Sequence, residues 1–340
     1  MFLIRADGNP QIGTGHIMRC LSLADAFREQ GKEIAFVIAK PYFQKLIQER
    51  GYLCTVLGTT FDHMEDELPL FLPILKRDRP ELVILDSYFV TPKYMKMVKD
   101  AVPLLYIDDL NAFGYPADIV VNYNIYGPEI PYSGSKTYFL GPKYAPLRKE
   151  FQGLGRRRVK KCVENVLVST GGTDPYHVAL RCAEYLREHL VSEGVTFHFV
   201  LGAMNRDVEA LDRLSCGCPS IKLHRQVTDM CSLMMQCDAA ISAGGTTLFE
   251  LCACGLPTVT YILADNQIMN AGAFERSGLT LNAGDIRGDV CFAKRLFEIL
   301  DALTENFALR QRMAEQMQDT VDGMGARRLA EALVKTGFGV

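Results

Sequence analysis

Short apolar, β-branched runs alternate with longer amphipathic stretches twice along the chain, and this restricts the fold more than any other feature. In the first half FLIRA, EIAFVIA, YLCTVL, ELVILDS, PLLYIDD and DIVVNYN read as strands. After the first of them, residues 16–30 set Ile17, Cys20, Leu21, Ala24 and Phe27 on one helical face. Strands that are apolar almost throughout, joined by helical crossovers, indicate a parallel sheet covered on both sides. In the second half NVLVST, TFHFVLG, SIKLH, DAAISA and PTVTYI resume the pattern, and residues 292–335 read as mostly helical. Between the halves, residues 127–162 gather Pro128, Pro131, Gly134, Pro142, Pro146, Gly153 and Gly155 ahead of a basic run from Arg156 to Lys161. The expectation is an α/β chain of two Rossmann-like, doubly wound domains, 1–150 and 151–340, the second with a helical carboxyl-terminal extension. Two such domains face a cleft, to which the carboxyl ends of both sets of strands turn their loops.

The 340 residues exceed one ordinary compact core and suit two domains. A net charge of −3 lacks the basic stripe of a nucleic-acid binder. The basic run reads as a solvated linker face, with a patch for anionic lipid as the sharper alternative. No apolar stretch reaches the roughly 18 residues that span a bilayer, and LPLFLPIL at 68–75 reads as a packed helix or core. MFLIRADG turns polar too soon for a signal segment, so a reducing cytoplasm is expected, with the 11 cysteines as small buried hydrophobes. Cys216 and Cys218, and Cys252 and Cys254, have no zinc-site partners nearby, so no metal and no cofactor are expected.

Chemistry concentrates at strand ends. After FLIRA comes ADGNPQIGTG, and a helix opens near Gly15. A dinucleotide fingerprint would need glycine where Met18 stands, and an acid where Lys40 ends the second strand. A phosphate-binding P-loop would need lysine where His16 stands. Gly13, Thr14 and Gly15 then offer backbone N–H groups at a helix start, whose dipole disfavours an imidazolium. His16 is either a neutral base there or a histidine satisfying an exposed helix end.

In the second half Gly244, Gly245 and Thr246 form a small-residue loop opening a helix, suited to a diphosphate approached without Cβ obstruction. Glu250, one turn on, can accept from both ribose hydroxyls, or simply place favourable charge near the helix start. Gly171, Gly172 and Thr173 repeat the strand-to-glycine style, with Asp174 and Pro175 as a helix cap. Asn266 and Gln267 follow PTVTYI as neutral amides suited to sugar hydroxyls or acetamido groups, and Asp265 reads as a cap. Asp86-Ser87-Tyr88 and Asp108-Asp109 end two strands of the first half and are expected to face the same cleft, with Tyr88 and Asp109 read as substrate hydrogen-bonders. No third carboxylate makes Asp108 and Asp109 a cation site.

Taken together, SAGGTTLFELCACGLPTVTY followed by DNQ resembles the nucleotide-binding half of glycosyltransferase-B proteins. RADGNPQIGTGHIMRCLSLA, LDSYF and STGGTD resemble more narrowly the UDP-2,4-diacetamido-2,4,6-trideoxy-β-L-altropyranose hydrolases of pseudaminic (nonulosonic) acid biosynthesis, and related spore-coat polysaccharide proteins. The similarity runs from Met1 to about residue 280. It implies a glycosyltransferase-B-like fold, a UDP-sugar partner, His16 as general base, and Tyr88, Asn266 and Gln267 in the active site, with Glu250 on the uridine ribose. Direct attack by water at the anomeric carbon then predicts C–O cleavage with inversion. A UDP-sugar-dependent transferase of the same fold, and a non-catalytic nucleotide-sugar-binding accessory protein, are the competing readings. The segment past residue 280 is a departure whose role the resemblance does not supply.

Overall fold

A computed structural model describes residues 1–189, 194–202 and 204–335. The chain divides into two compact units: Met1–Lys149 joined by the segment that starts at Met324, and Glu150–Gly323.

The first unit is a seven-stranded, wholly parallel sheet. Its strands are β1 (Phe2–Ala6), β2 (Ile34–Ile38), β3 (Leu53–Val56), β4 (Leu82–Asp86), β5 (Leu104–Ile107), β6 (Ile119–Asn122) and β7 (Thr137–Leu140). Their order is β3-β2-β1-β4-β5-β6-β7. The central strands β1, β2 and β4 are buried at every position, because helices cover both faces and leave no solvated side for polar residues. The edge strands β3 and β7 are half exposed. The stretch read as a linker therefore contains a seventh strand, TYFL, whose surrounding prolines and glycines masked it.

The second unit repeats the plan with β8 (Asn165–Ser169), β9 (Thr196–Leu201), β10 (Ile221–Arg225), β11 (Ala239–Ala243), β12 (Thr258–Ile262) and β13 (Leu281–Asp285). Their order is β10-β9-β8-β11-β12-β13, again wholly parallel. LNAGD was not expected as a strand, since Asn282, Gly284 and Asp285 interrupt its apolar character.

Two expectations are corrected by packing. The final helix, Gly325–Lys335, does not extend the second unit. Its buried face, Ala326, Leu329, Ala330 and Leu333, lies on the first unit against helix Gly15–Glu29 and the 142–144 turn. A Cβ on Gly325 would stand 2.2 Å from the Ala145 carbonyl oxygen, so only glycine admits this docking. The basic run is not simply a solvated face. Arg157 donates to the carbonyls of Met234, Cys237 and Cys254 at 2.7–2.8 Å, where two helices end and their carbonyls need donors. Arg156 pairs with Asp319, and Lys160 with Glu164 and Asp238.

LPLFLPIL forms part of helix Leu68–Asp78 and buries Leu68, Phe71 and Leu75. All 11 cysteines are free thiols. Among the described residues no helix is long and apolar enough to cross a membrane.

Truncating Leu329 tests where the last helix belongs. Leu329→Ala is expected to destabilise the first unit by about 2–5 kcal/mol, through lost burial and a residual cavity. Calorimetry should show the transition of that unit moving while the transition of Glu150–Gly323 stays in place.

Candidate functional site

In a doubly wound sheet, ligands gather beyond the carboxyl ends of the strands where the strand order reverses. In the first unit that point lies between β1 and β4, paired in register from Phe2–Leu82 to Ala6–Asp86. The loop leaving β1 is fixed by its own hydrogen bonds. Asn9 Oδ1 accepts from the N–H groups of Gln11 and Ile12, and Asn9 and Gly13 exchange backbone bonds. Gly13 turns there at φ +76°, in the left-handed region that favours glycine. Its N–H donates to the Asn9 carbonyl, so Gly13 shapes the turn and has no N–H left for a ligand, contrary to expectation. Helix Gly15–Glu29 then starts after Thr14, whose side chain makes no cap, and swings His16 over the end of β4.

His16 Nδ1 lies 2.6 Å from Asp86 Oδ1. Arg19, one turn further on the same helix face, grips Asp86 through Nε to Oδ2 (2.6 Å) and Nη2 to Oδ1 (2.5 Å). Its Nη1 reaches Asp109 Oδ2 at 2.7 Å and the Tyr123 hydroxyl. The Tyr88 hydroxyl donates to the same Asp109 oxygen at 2.9 Å, and Asn124 Nδ2 donates to the other at 3.1 Å. The Tyr88 ring meets the imidazole edge-on, centroids 4.4 Å apart. His16, Tyr88 and Asp109 are therefore brought together. The carboxylate of Asp109 already receives three donors, which makes it a tether for Arg19 and Tyr88 before it is anything else.

Burial would raise the Asp86 carboxyl, but Arg19 and His16 outweigh it and hold it well below the usual carboxylate range. An ionised Asp86 only accepts, so the proton of a neutral His16 sits on Nδ1 and the lone pair on Nε2. The His16 side chain is 5% exposed. Nε2 has no hydrogen-bond partner among the described residues and is not among the fully buried polar atoms, so it belongs to that open fraction. The arrangement is a carboxylate-oriented imidazole with its basic nitrogen outward. Asp108, by contrast, spends its oxygens on the N–H groups of Leu110 and Asn111 and the hydroxyls of Tyr115 and Tyr132, and is structural.

Arg19, Asp86, Tyr123 and Asn124 were not anticipated as a network. One signal was present. Arg19 is followed four and seven residues on by Leu23 and Ala26, a second apolar side of its helix, and a charge placed there has to find a carboxylate.

In the second unit the reversal lies between β8 and β11, with Ser169 beside Ser242. Gly171 turns at φ +81°, and a Cβ on Gly202, at the end of β9, would stand 2.4 and 2.5 Å from the carbonyl oxygens of Gly172 and Gly171. Glycine at 202 is what lets the two loops touch. Thr173 is half-buried beside them. Thr170 Oγ1, inside this junction, is buried and has no hydrogen-bond partner among the described residues. Asp174 does not cap a helix at Pro175. The helix begins at Val178, and Asp174 accepts from the N–H groups of Val178 and Ala179 at 2.8 and 2.9 Å.

After β11, Gly244 packs where a Cβ would stand 3.2 Å from Ala271 Cβ and 3.4 Å from Gln267 Cβ, and its N–H donates to the Tyr261 carbonyl at 2.9 Å, so contrary to expectation it shapes the loop and has no N–H left for a ligand. Gln267 Oε1 accepts from the Leu263 N–H at 3.1 Å, which leaves its amide nitrogen as a donor beside Gly245. Thr246 is exposed at the start of helix Thr247–Ala253, and Glu250 is half-buried within its first turn. Asn266 is exposed at the start of helix Asp265–Arg276. Asp265 is not its cap, since its side chain pairs with Arg287 at 2.7 Å. A cavity of about 510 Å³ opens on the same sheet edge after β10, lined by His224, Gln226, Thr228, Asp229, Ser232 and Gln236. A larger one in the first unit, about 1010 Å³, lies at the amino ends of β4 to β7, on the edge away from His16. Among the described residues no group of three or more His, Cys, Asp or Glu is placed to hold a metal ion.

No family model matches the chain. The spore coat polysaccharide biosynthesis protein SpsG of Bacillus subtilis strain 168 is 26% identical over 337 residues, 97% of this chain and 96% of that protein. The UDP-2,4-diacetamido-2,4,6-trideoxy-β-L-altropyranose hydrolase of Campylobacter jejuni is 29% identical over 191 residues, 54% of this chain and 65% of that protein. Among solved structures, MurG of Acinetobacter baumannii superposes with a TM-score of 0.69 at 15% identity, covering 98% of this chain and 99% of that one. The calicheamicin glycosyltransferase CalG4 gives 0.68 at 16% identity, covering 98% and 97%. The fold is glycosyltransferase-B-like, two parallel-sheet doubly wound domains.

The contact between the glycine loops generates a prediction. Gly202→Ala should push the Gly171–Gly172 loop away from the end of β9 and cost the second unit about 1–3 kcal/mol as an overpacked position. Gly217→Ala, where the nearest atom stands 3.9 Å away, serves as control. Amide shifts at Gly171 and Gly172 should move in the first variant alone.

Proposed function

We propose that the chain acts on a UDP-linked sugar, with His16 drawing a proton from the nucleophile that attacks the anomeric carbon. The observation that carries this reading is the Asp86–His16 pair at the β1–β4 reversal, with Nε2 outward. Both curated relatives described above support a sugar-processing role, and the Campylobacter protein's name supports UDP as the leaving group.

The second unit supplies the nucleotide site. N–H groups of Gly171, Gly172, Thr173, Gly245 and Thr246, with the Gln267 amide, meet the diphosphate, while Gly244, whose own N–H donates to the Tyr261 carbonyl at 2.9 Å, shapes the loop. Glu250 takes the ribose hydroxyls. Asn266 takes a polar group of the sugar, and Tyr88 steadies the imidazole and the sugar in the first unit. Thr14 and Gly15 contribute the open start of their helix. UDP leaves as a stable anion and needs no protonating acid. Catalysis then reduces to placing the nucleophile and stabilising the departing charge, and a positioned base contributes about 10²- to 10⁴-fold.

Two nucleophiles fit. Solved proteins of this fold that carry an activity in their names, such as CalG4, are glycosyltransferases, which supports an acceptor hydroxyl. The Campylobacter relative is named a hydrolase, which supports water and inversion, and it matches only 54% of this chain. Transfer is the broader-supported reading, and hydrolysis of a diacetamido-trideoxy sugar nucleotide is the second.

The test measures UDP release from a set of UDP-sugars in EDTA, with and without sugar or lipid acceptors. Release that requires an acceptor establishes transfer. Release without one, with ¹⁸O from labelled water entering the sugar, establishes hydrolysis. His16→Ala is expected to lower kcat about 10²- to 10⁴-fold while UDP affinity stays within about threefold. Equal binding with no turnover in either protein would leave an accessory binding protein and sink both catalytic readings.

A further inference from the structure

We propose that Arg19 is a positioning residue that sets the tautomer of His16 and so determines which ring nitrogen is basic. The effect on turnover rests on the base role proposed above, but the effect on the tautomer does not.

Two arrangements compete at Nδ1. In one, the ring N–H donates to Asp86 Oδ1, 2.6 Å away. In the other, Arg19 Nη2, 3.0 Å from the same nitrogen, donates to a bare Nδ1. The second would set the lone pairs of Nδ1 and Asp86 Oδ1 against each other at 2.6 Å. It would also put the remaining ring proton on Nε2, where a base needs none. The first arrangement holds as long as Asp86 stays an acceptor. Arg19 secures that with two N–H groups on the two oxygens of Asp86 and a positive charge buried beside them.

Without Arg19, Asp86 is a buried carboxylate whose remaining donors among the described residues are the imidazole and the Cys20 thiol at 3.4 Å. Such a group takes up a proton. A protonated Asp86 donates its O–H to Nδ1, and the ring proton moves to Nε2 through solvent, so protons balance and the outward nitrogen loses its lone pair. The third arm of the guanidinium adds a second restraint. It holds Asp109, which accepts from Tyr88, and the Tyr88 ring lies against the imidazole. One side chain thus fixes the ring at Nδ1 and at its flank. Lysine keeps the charge but presents no planar fork to span Asp86 and Asp109 together.

The experiment records two-bond ¹H–¹⁵N spectra of the imidazoles in wild type, Arg19→Lys and Arg19→Met at pH near 8, with His16 assigned by its absence in His16→Gln. UDP release is measured in parallel. Wild type is expected to show the Nδ1–H tautomer. Both variants should shift toward Nε2–H, with kcat lowered at least about 10²-fold and KM within about threefold. An Nε2–H tautomer in wild type overturns the proposal. So does Arg19→Lys with wild-type tautomer and turnover, or a rise in KM at unchanged kcat. If neither variant folds, Arg19 serves stability alone and the proposal falls. Wild type that turns over no UDP-sugar ends the functional reading, while the spectra still decide the tautomer.

Discussion

The guanidinium of Arg19 and the carboxylate of Asp86, both taken out of water, are the pair on which the first unit's chemistry depends. A buried ion pair gains little net stability, because desolvating the charges offsets most of their attraction. It gains discrimination, since losing either partner leaves an uncompensated charge at a cost of about 3–5 kcal/mol. A second pair of the same kind stands on the other side of the loop. Arg5, fully buried in β1, holds Glu67 through Nε and Nη2 and Asp7 through Nη1, while Tyr94 donates to Glu67. Asp7 in turn accepts from the Ala39 N–H. The segment from Asp7 to His16 is thus pinned at both ends by arginines, and closed in the middle by the Asn9–Gly13 bridge. Its path leaves His16 a single place to stand.

The two units share a strand plan and use its reversal point differently. At β1–β4 the loops carry an imidazole, carboxylates and phenols, groups able to hold or move a proton. At β8–β11 they carry glycines and, from the neighbouring helix, the Gln267 amide, which present donors and shape. The difference follows from what each loop can approach. Gly202 and Gly244 are places where a Cβ would collide with neighbouring atoms or crowd them, so the chain there lies close against the backbone of Gly171 and Gly172 in one case and against the Cβ atoms of Ala271 and Gln267 in the other. A side-chain site needs the opposite, a helix long enough to place His16 and Arg19 one turn apart above a strand end.

Much of this was legible in the sequence, for physical reasons. Strands buried on both faces read as unbroken apolar runs, so β1, β2, β4, β8, β11 and β12 could be seen directly. Edge strands carry no such demand, and β7 and β13 passed unnoticed. The helix at Gly325 has a clear apolar stripe, but a stripe does not say which surface it covers. His16 stood out because it replaces a lysine in a glycine context. Asp86 was legible only as a strand end facing the cleft and Arg19 not at all, because their pairing spans 67 residues and only the register of β1 on β4 brings them together. Gly13 was read as a donor to a ligand, since local sequence does not reveal that the Asn9 carbonyl claims its N–H.

The charge count of the cluster fits the work proposed for it. Asp86 and Asp109 contribute two negative charges and Arg19 one positive, so with a neutral ring the group carries one net negative charge. A proton taken onto His16 brings it to neutrality. Under the base role proposed above, the charge that arrives with the nucleophile's proton is met by a carboxylate already in place, since Asp86 Oδ1 lies 2.6 Å from the ring nitrogen and is itself held by Arg19.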